Sequence, residues 1–437
     1  MRSVCYAKAT YYGMGFPPNF GGVTIFLFAA LAPWPVFLQK AVQQSIYRHD
    51  TYVITLLPPY SNFLFHLSSL TTSCIPSQIS SFILHPKMTS SIPKTMKAWQ
   101  FSQTVGGLER NLTLNSSAAL PSNAASLAAD QTLVKVIAAT INPVDYKFPE
   151  IPLVGRLVVG KPASPGIDYA GRVVATGPNS RKVSTQVLKA GQLVFGRLDS
   201  PTKFGTIAEY TIVPRQGCVP IPDGVSPQDA ACVGTAGLTA YQSIVPFINS
   251  GQRIFINGGS GGTGVFGIQI AKAKGCSVVT SCSTPNVDLC KSLGADQVID
   301  YKKQDLAAEL TRLGKFDLVV DNVGQPSNLF WQAHSFLKAG AQWEQVGAGF
   351  SVSDMRELMS RMFWPRLLGG GNTKFQLIGV TSNYEDYKQI GQWMQEGKVK
   401  AITDEVYGME DKGPVKAFER LRTGRAKGKV VVRVADE

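Results

Sequence analysis

The stretch RIFINGGSGGTG, residues Arg253–Gly264, decides the fold class of this 437-residue chain. An apolar run rich in β-branched residues leads into a Gly-x-Gly-x-x-Gly sequence at Gly259, Gly261 and Gly264, and a helical apolar pattern follows. In a dinucleotide fingerprint, the first glycine permits the tight turn, the second lets a pyrophosphate approach, and the third lets helix and strand pack closely. A plain glycine-rich turn is the alternative. The flanking strand and helix favour a nucleotide bound at Gly259, Ser260, Gly261, Gly262, Thr263 and Gly264.

The next predicted strand, Ser277–Ser281, indicates which nucleotide binds. An NAD-selective site would end this strand with Asp or Glu, which takes both ribose hydroxyls. The chain instead continues with CSTPN, residues Cys282–Asn286, so no carboxylate is there to repel a 2′-phosphate. We therefore predict NADPH as the cofactor. The residues expected to contact it in this region are Ser281, Ser283, Thr284, Lys291 and Tyr301.

The composition is that of an ordinary globular protein of two or three domains, with 44% hydrophobic and 17% charged residues. The formal net charge of +13 raises the question of nucleic acid or an acidic membrane surface. The densest basic cluster, Arg420–Lys429, is interrupted and is typical of a solvated face, so no specific nucleic-acid partner is predicted. Seven scattered cysteines without a C-x-x-C pair indicate neither a zinc knuckle nor a disulfide framework.

The first 87 residues differ from the rest, because they hold three of the four histidines and a single acid, Asp50. The apolar piece Val23–Leu38 contains Pro33 and Pro35 and is short for a membrane span. We predict an atypical leader over residues 1–95 that is disordered, removed or the product of a misplaced gene start. A membrane anchor is the alternative. The predicted location is cytoplasmic, or mitochondrial or membrane-associated if the leader is genuine.

Two kinds of pattern divide the remaining chain. Short strands between glycine turns, such as Leu133–Ala139 and Gly166–Gly177, indicate a small β-barrel-like domain. From about Ala230, alternating helices and strands indicate a parallel sheet. The predicted strands Phe316–Val320 and Gln342–Val346 each run into a loop, and ligands of open α/β sheets bind at those strand ends.

Several motifs in this order closely resemble the medium-chain dehydrogenase/reductase superfamily, in its zinc-independent, quinone oxidoreductase-like branch. The resemblance covers about residues 96–437 and implies an α/β fold. It implies a GroES-like β-barrel catalytic domain at 96–225, a Rossmann doubly wound parallel-sheet domain at 226–380, and a segment at 381–437 that returns to the first domain. The motifs that carry it, besides the glycine fingerprint, are Asn142–Lys147, Gly166–Gly171, Gly234–Tyr241, Leu293–Tyr301 and Gly428–Val431.

The same motifs argue against a bound metal. The metal-using branch has a cysteine near Asn142 and Gly-His-Glu where this chain has Gly166–Asp168, and Ile167 cannot ligate a metal. Without a Lewis acid, alcohol oxidation is difficult, whereas reduction of a quinone or of an electron-poor double bond requires only that the developing negative charge be stabilised. We therefore predict no metal site, and a small apolar carbonyl compound or quinone as substrate.

The predicted catalytic residues are Tyr146, Lys147 and Asn142. In the enone reductases that this stretch resembles, a lysine lies beside the nicotinamide ribose, so Lys147 could hold the ribose and polarise the substrate oxygen. Tyr146 could donate a hydrogen bond or a proton, and a packed aromatic is its alternative. Surface charge is the alternative for Lys147. Asn142 and Asp145 could instead fix the loop through side-chain hydrogen bonds.

The resemblance also assigns cofactor contacts beyond the glycine loop. Thr239 would face the phosphate at the nicotinamide end, with a helix cap as its alternative. Asn322 and Gly324 would line the adenosine ribose or the pyrophosphate, and Gly347 follows a predicted strand in the same way. An apolar stripe over residues 355–368, rich in methionine, could form core or dimer packing, or a lid over the substrate.

Taken together, the sequence predicts an NADPH-dependent quinone or enone oxidoreductase that forms a homodimer. A cofactor-binding protein without turnover, acting through partners or RNA, is the alternative, because a binder would retain the glycine fingerprint too.

Overall fold

The computed structural model describes residues 92–151, 159–178, 187–347, 352–363 and 373–436, which all belong to one compact unit. The predictions made for residues 1–91 and for 364–368 of the apolar stripe lie outside the described residues. Within the described ranges, no helix combines the length and the apolar character needed to cross a membrane.

The first part of the chain is rich in antiparallel strands, as predicted. Its long central strand pairs with strands on both sides, and a separate two-stranded sheet lies at the start. The strands are β1 (Thr95–Gln100), β2 (Thr113–Ala119), β3 (Gln131–Ile141), β4 (Asp168–Thr176), β5 (Leu193–Arg197), β6 (Tyr210–Pro214) and β7 (Cys218–Pro220). Helix α1 (Pro143–Glu150) follows β3 directly, and Pro143 at its first position suits a helix start.

The second part forms a six-stranded parallel sheet, and this confirms the predicted doubly wound architecture. Its strand order is β10-β9-β8-β11-β12-β13. Strands β9 and β10 are added on one side of β8 and strands β11 to β13 on the other, so the order of the strands changes direction between β8 and β11. The strands are β8 (Arg253–Asn257), β9 (Ser277–Cys282), β10 (Gln297–Asp300), β11 (Phe316–Asp321), β12 (Leu337–Gln345) and β13 (Lys374–Leu377). Strand β12 begins five residues earlier than predicted, because the chain extends directly from the preceding short helix.

The helices cover this sheet and connect the two parts. Helices α2 (Pro227–Ala231) and α3 (Leu238–Ile244) flank a π-helical turn at Val233–Gly237 and lead from the first part to β8. The others are α4 (Gly262–Ala273), α5 (Val287–Ser292), α6 (Leu306–Leu313), α7 (Ala333–Phe336), α8 (Val352–Phe363), α9 (Tyr384–Gln395) and α10 (Gly413–Arg422). Asp305 caps α6 and Asn383 caps α9 through side-chain hydrogen bonds.

The last segment of the chain adds two strands to the first sheet. Strand β14 (Thr403–Gly408) pairs in parallel with β15 (Lys429–Arg433), and β15 pairs antiparallel with β3. The seven-stranded sheet built around β3 is therefore completed by the last segment of the chain. The domain boundaries at 225 and 380 stay predictions.

The apolar stripe is helical, as its spacing predicts, but the prediction of core packing within the chain is wrong for its methionines. Met355, Met359 and Met362 are each about half exposed on α8. The helix packs through another face, on which buried Arg361 donates to Gln345 Oε1 at 2.9 Å.

Candidate functional site

The glycine turn lies between β8 and α4. Its left-handed residue is Gly258, with φ +81°, and Gly259 follows it within the same turn, as predicted from the sequence. Gly259 is required for a different reason, because a Cβ there would lie 2.1 Å from Thr280 Oγ1 on β9. A Cβ at Gly264 would lie 2.2 Å from Gly258 O, in agreement with the close helix–turn packing predicted for that residue.

Gly261 differs from its neighbours. A Cβ built there would come no closer than 3.7 Å to its nearest described neighbour, Gly258 O, so packing of the described residues does not require glycine. Gly261 is also the N-cap of α4, and no side chain caps this helix end. An uncapped helix start next to an unobstructed glycine fits a pyrophosphate, whose oxygens accept from the first amide groups of a helix.

Side chains beneath the turn hold it in shape. Ser281 Oγ donates to Asn257 Oδ1 at 2.6 Å and accepts from the Gly258 amide at 3.1 Å, and the residue is fully buried. Asn257 Nδ2 donates to Asp321 Oδ1 at 2.8 Å. Ser281 therefore supports the turn, and the structure does not expose its hydroxyl for the cofactor contact predicted from the sequence.

The loop after β9 joins the glycine turn through a residue that sequence reasoning did not select. Asn286 Nδ2 donates to Ser260 Oγ at 2.9 Å and to Ser283 Oγ at 3.3 Å. Ser283 and exposed Thr284 follow β9 at its carboxyl end, and Asn286 links Ser283 to Ser260 in the fingerprint. The structure thus brings these predicted residues together at one edge of the sheet, through the Asn286 amide.

Tyr301 and Lys291 lie at different places. Tyr301 follows β10 at the same edge as Ser283, and its amide donates to Cys282 O at 3.2 Å. Lys291 stands in the last turn of α5, and this helix runs back from that edge at about 1.5 Å per residue. The cofactor contact of Lys291 stays a prediction. A lysine that follows Tyr301 at this edge, and was not selected, is Lys302, whose Nζ lies 5.4 Å from the centre of the Tyr301 ring.

Asn322 follows β11 at the same edge of the sheet, and its side-chain amide has no hydrogen-bond partner among the described residues. The Nδ2 and Oδ1 atoms of Asn322 are both buried, and neither has a hydrogen-bond partner among the described residues. Gly324, with φ +76°, and Gly347 shape the surrounding loops, because a Cβ at Gly347 would lie 2.2 Å from Asn322 O. A buried amide of this kind fits a bound ligand, since leaving such a group unpaired costs about 1–3 kcal/mol.

A buried polar cluster lies beside β3 and β4, close to the glycine turn. Asn142 Nδ2 donates to Asp168 Oδ2 at 2.8 Å, and Lys429 Nζ donates to Asn142 Oδ1 at 2.5 Å. Thr235 Oγ1 donates to Asp168 Oδ1 at 2.6 Å, and Thr140 Oγ1 donates to Asp168 Oδ2 at 3.1 Å. Both ends of the Asn142 carboxamide are therefore engaged, so Asn142 connects neighbouring segments.

Sequence reasoning selected one member of this cluster, Asn142. Asp168, Thr235 and Lys429 each stood in a motif that carries the resemblance, but nothing in the sequence brings positions so far apart together. The available signal was a buried, charged residue beside a strand. This signal can be recognised only when the fold is known.

Asp145 extends the cluster. It is buried at the third position of α1, and its Oδ2 accepts from the Asn142 amide at 2.7 Å. Desolvation raises the pKa of this carboxyl to about 7, with a further rise from nearby Asp168, against lowering by the Asn142 amide and by Lys429. This capping hydrogen bond agrees with the alternative given for Asp145, in which its side chain fixes the loop.

Tyr146 and Lys147 follow on the same helix, both half-buried. The Arg422 guanidinium lies 4.1 Å from the centre of the Tyr146 ring and also pairs with Glu109 and Glu150. Desolvation raises the pKa of Tyr146. These contacts favour the packed-aromatic alternative for Tyr146. The catalytic roles of Tyr146 and Lys147 stay predictions.

Thr239 is the second residue of α3 and is nearly fully buried. The N-cap of α3 is Gly237, and it makes no side-chain cap hydrogen bond, so the helix-cap alternative for Thr239 is not supported. Its cofactor contact stays a prediction.

The metal prediction concerns Ile167, which is fully buried in an apolar cluster with Val134 and Tyr169. Across the described ranges, no three His, Cys, Asp or Glu side chains are grouped so as to hold a metal ion. The absence of zinc stays a prediction.

Comparison with known proteins gives two family matches and many relatives. The alcohol dehydrogenase GroES-like domain family matches residues 128–223, and the zinc-binding dehydrogenase family matches residues 293–432. The trans-enoyl reductase pgmF of Aspergillus terreus is 60% identical over 354 residues, which cover 79% of this chain and 98% of that protein. An NADPH-dependent alkenal/one oxidoreductase of Arabidopsis thaliana is 32% identical over 82% of this chain and 84% of that protein.

A solved structure agrees with these matches. The quinone oxidoreductase from Coxiella burnetii has a TM-score of 0.65 and 28% identity, covering 78% of this chain and all of that one. The combination of a GroES-like domain with a Rossmann sheet, expected from the motifs, is confirmed.

Proposed function

Because this chain belongs to the medium-chain dehydrogenase/reductase superfamily and is an oxidoreductase of that family, we propose that it reduces a carbon–carbon double bond conjugated to a carbonyl group, using NADPH. Quinones are a second class of acceptor. The proposed substrate is small and apolar, and the proposed reaction needs no zinc. A homodimer and a cytoplasmic location stay predictions.

The observation that carries the proposal is the contact between the glycine turn and the buried polar cluster. The Gly428 amide donates to Ser260 O at 3.0 Å, and the next residue, Lys429, reaches Asn142 and Asp168. The groups that would bind a dinucleotide therefore lie next to the groups that shape the turn Asn142–Lys147. Such proximity is needed for transfer between two bound reactants.

Residues of the sheet edge fit NADPH. The unpartnered Asn322 amide, the unobstructed Gly261 and the loop without an acid after β9 support a dinucleotide with a 2′-phosphate. When bound, NADPH supplies a hydride. The positive charges that would meet the extra phosphate at this edge include Lys302, next to Tyr301.

The chain must stabilise the negative charge that develops on the carbonyl oxygen of the substrate. We propose that Lys147 polarises this oxygen and holds the ribose, while Asn142 acts indirectly, since both ends of its carboxamide are bonded within the protein. Tyr146 is the proposed proton donor at carbon. The Arg422 guanidinium lies 4.1 Å from the centre of its ring.

The test is the steady-state oxidation of NADPH by the full-length protein with a trans-enoyl thioester, an enone and a quinone. Lys147→Ala should reduce turnover about 100-fold, as expected for loss of one group that stabilises a developing oxyanion. Lys135→Ala, at an exposed position of β3, is the matched control and should leave turnover unchanged. Tyr146→Phe should affect enones more than quinones, because reduced quinone oxygens take protons from water.

Three outcomes would contradict parts of the proposal. NADPH binding without turnover of any acceptor would support the non-catalytic alternative. Unchanged turnover in Lys147→Ala would remove this turn from the chemistry. Loss of activity on treatment with a chelator, restored by zinc, would refute zinc independence.

A further inference from the structure

The dipeptide Gly428–Lys429 contacts both domains at once. The Gly428 amide donates to Ser260 O at 3.0 Å, and Gly428 forms a β-bridge with Gly261 in the glycine turn. The Lys429 side chain enters the first domain, where Nζ donates to Ile141 O at 3.2 Å and to Asn142 Oδ1 at 2.5 Å. Two adjacent residues thus connect the turn that would bind the cofactor to the turn that begins α1.

Lys429 is a buried cation whose ammonium group is paired on all sides. Its side chain is 3% exposed and forms an ion pair at 3.4 Å with Asp168, which is fully buried. The three donors of the ammonium group have three acceptors: Ile141 O, Asn142 Oδ1 and Asp168 Oδ2. A buried ion pair adds little net stability over apolar packing of the same volume, so a specific geometry is the better reason for this one.

The backbone around Lys429 is fixed from two sides. Gly428 has φ +76°, and a Cβ there would lie 2.0 Å from Ile402 O. The Lys429 amide donates to the same Ile402 O at 2.8 Å. On the other side, a Cβ at Gly262 would lie 3.3 Å from Lys429 Cδ. The lysine stem therefore packs directly on the first residue of α4.

We propose that Lys429 is a positioning residue of the reductase: it orients the Asn142 carboxamide and holds the glycine turn at a fixed distance from the first domain. The kinetic part of this inference rests on the proposed function. Asn142 begins the turn into α1, which carries Lys147. Loss of the ammonium contacts would therefore let α1 and the glycine turn shift relative to each other, and a displacement of about 1 Å can reduce a rate on the order of 100-fold.

The first experiment compares Lys429→Met with Lys427→Met in the full-length protein. Lys427 is exposed and lies two residues away, so it controls for loss of a positive charge in this segment. Lys429→Met should lower kcat with a trans-enone about 10- to 100-fold, while the Kd for NADPH changes less than about threefold. Lys427→Met should change neither. An unchanged kcat in Lys429→Met would overturn the proposal.

A second variant separates positioning from charge balance. Lys429→Met leaves Asp168 buried and unpaired, which lowers stability, whereas Lys429→Met combined with Asp168→Asn removes both charges. If Lys429 positions Asn142, the double variant recovers Tm and kcat stays low. Recovery of Tm and kcat together would mean that Lys429 only balances the charge of Asp168, and the proposal would fail.

A third measurement does not depend on turnover. Hydrogen exchange should show the Gly428 amide protected in the wild-type protein and less protected in Lys429→Met. If the wild-type protein turns over no acceptor, the proposed function fails while this comparison still tests the contact. Equal protection in both proteins would overturn the link between Lys429 and the glycine turn.

Discussion

The glycine turn and the buried polar cluster adjoin, yet they are stabilised in opposite ways. The turn is made by neighbouring residues and depends on missing side chains, since Gly259 and Gly264 have no room for a Cβ. The cluster joins residues 142, 168, 235 and 429, and depends on paired charges and hydrogen bonds. The comparison teaches that a nucleotide site can be local in sequence while the groups that orient the reaction come from distant segments.

The largest contrast is expected between two alanine substitutions in the turn. Gly264→Ala forces a Cβ against backbone atoms 2.2 Å away and should destabilise the protein by about 3 kcal/mol or more. Gly261→Ala meets nothing closer than 3.7 Å among the described residues, so it should keep stability within about 0.5 kcal/mol. It should still weaken NADPH binding at least about tenfold, because we propose that the pyrophosphate approaches the backbone at this residue.

Urea unfolding and NADPH titration of both variants check this contrast. Equal loss of stability would show that Gly261 has a packing role after all. Unchanged NADPH affinity in Gly261→Ala would remove the pyrophosphate from this position.

The cluster should make stability depend on pH. The Asp145 carboxyl keeps its proton in the folded protein up to a pKa of about 7, whereas the unfolded chain releases it near the ordinary value of 3.8. Its contribution to stability is therefore fully present below about pH 4 and is lost as pH rises through 7. Asp145→Asn keeps an acceptor for the Asn142 amide and should raise the free energy of unfolding at pH 8 by at most about 4 kcal/mol.

Urea unfolding between pH 4 and pH 8 measures this slope. Burial also raises the pKa of Glu344, which lies in the other domain, to about 7. Glu344→Gln should therefore also make the fall in stability with rising pH less steep. A wild-type stability that rises across this range, or an Asp145→Asn variant with an unchanged slope, would contradict the prediction.

A smaller effect is expected at the unpartnered amide. Asn322→Ala should not lower the stability of the cofactor-free protein, because it breaks no hydrogen bond among the described residues and removes a buried, unpaired amide. It should raise the Kd for NADPH about tenfold, which corresponds to about 1.4 kcal/mol. The control is Asn257→Ala, which loses bonds to Asp321 and Ser281 and should cost about 1–3 kcal/mol of stability. If Asn322→Ala binds NADPH normally, the buried amide does not face the cofactor.

The smallest effect concerns cofactor choice. Ser283→Asp places a carboxylate at the end of β9 and should lower the ratio of kcat/KM for NADPH to kcat/KM for NADH about tenfold, through repulsion of the 2′-phosphate. Ser292→Asp, at the other end of α5, makes the same change away from the sheet edge and should leave the ratio unaltered. A wild-type preference for NADH would refute the NADPH assignment itself.

The sequence by itself determined what depends on neighbouring residues. The run Arg253–Gly264 predicted strand, turn and helix, because apolar periodicity and glycine geometry act within a few positions. The motif order predicted the two-part α/β fold. Yet the sequence did not indicate that Gly258 is the residue of this turn with a positive φ, since Gly258 and Gly259 are both glycines and only the backbone angle distinguishes them.

Only the tertiary structure decided which side chains meet. Ser281 looked available to the cofactor, but it is buried beneath the turn and bonded to Asn257. Lys429 reaches Asn142 across 287 positions, because β15 pairs with β3. The physical reason is that a buried charge is stabilised by its surroundings, and those surroundings exist only after distant strands have paired.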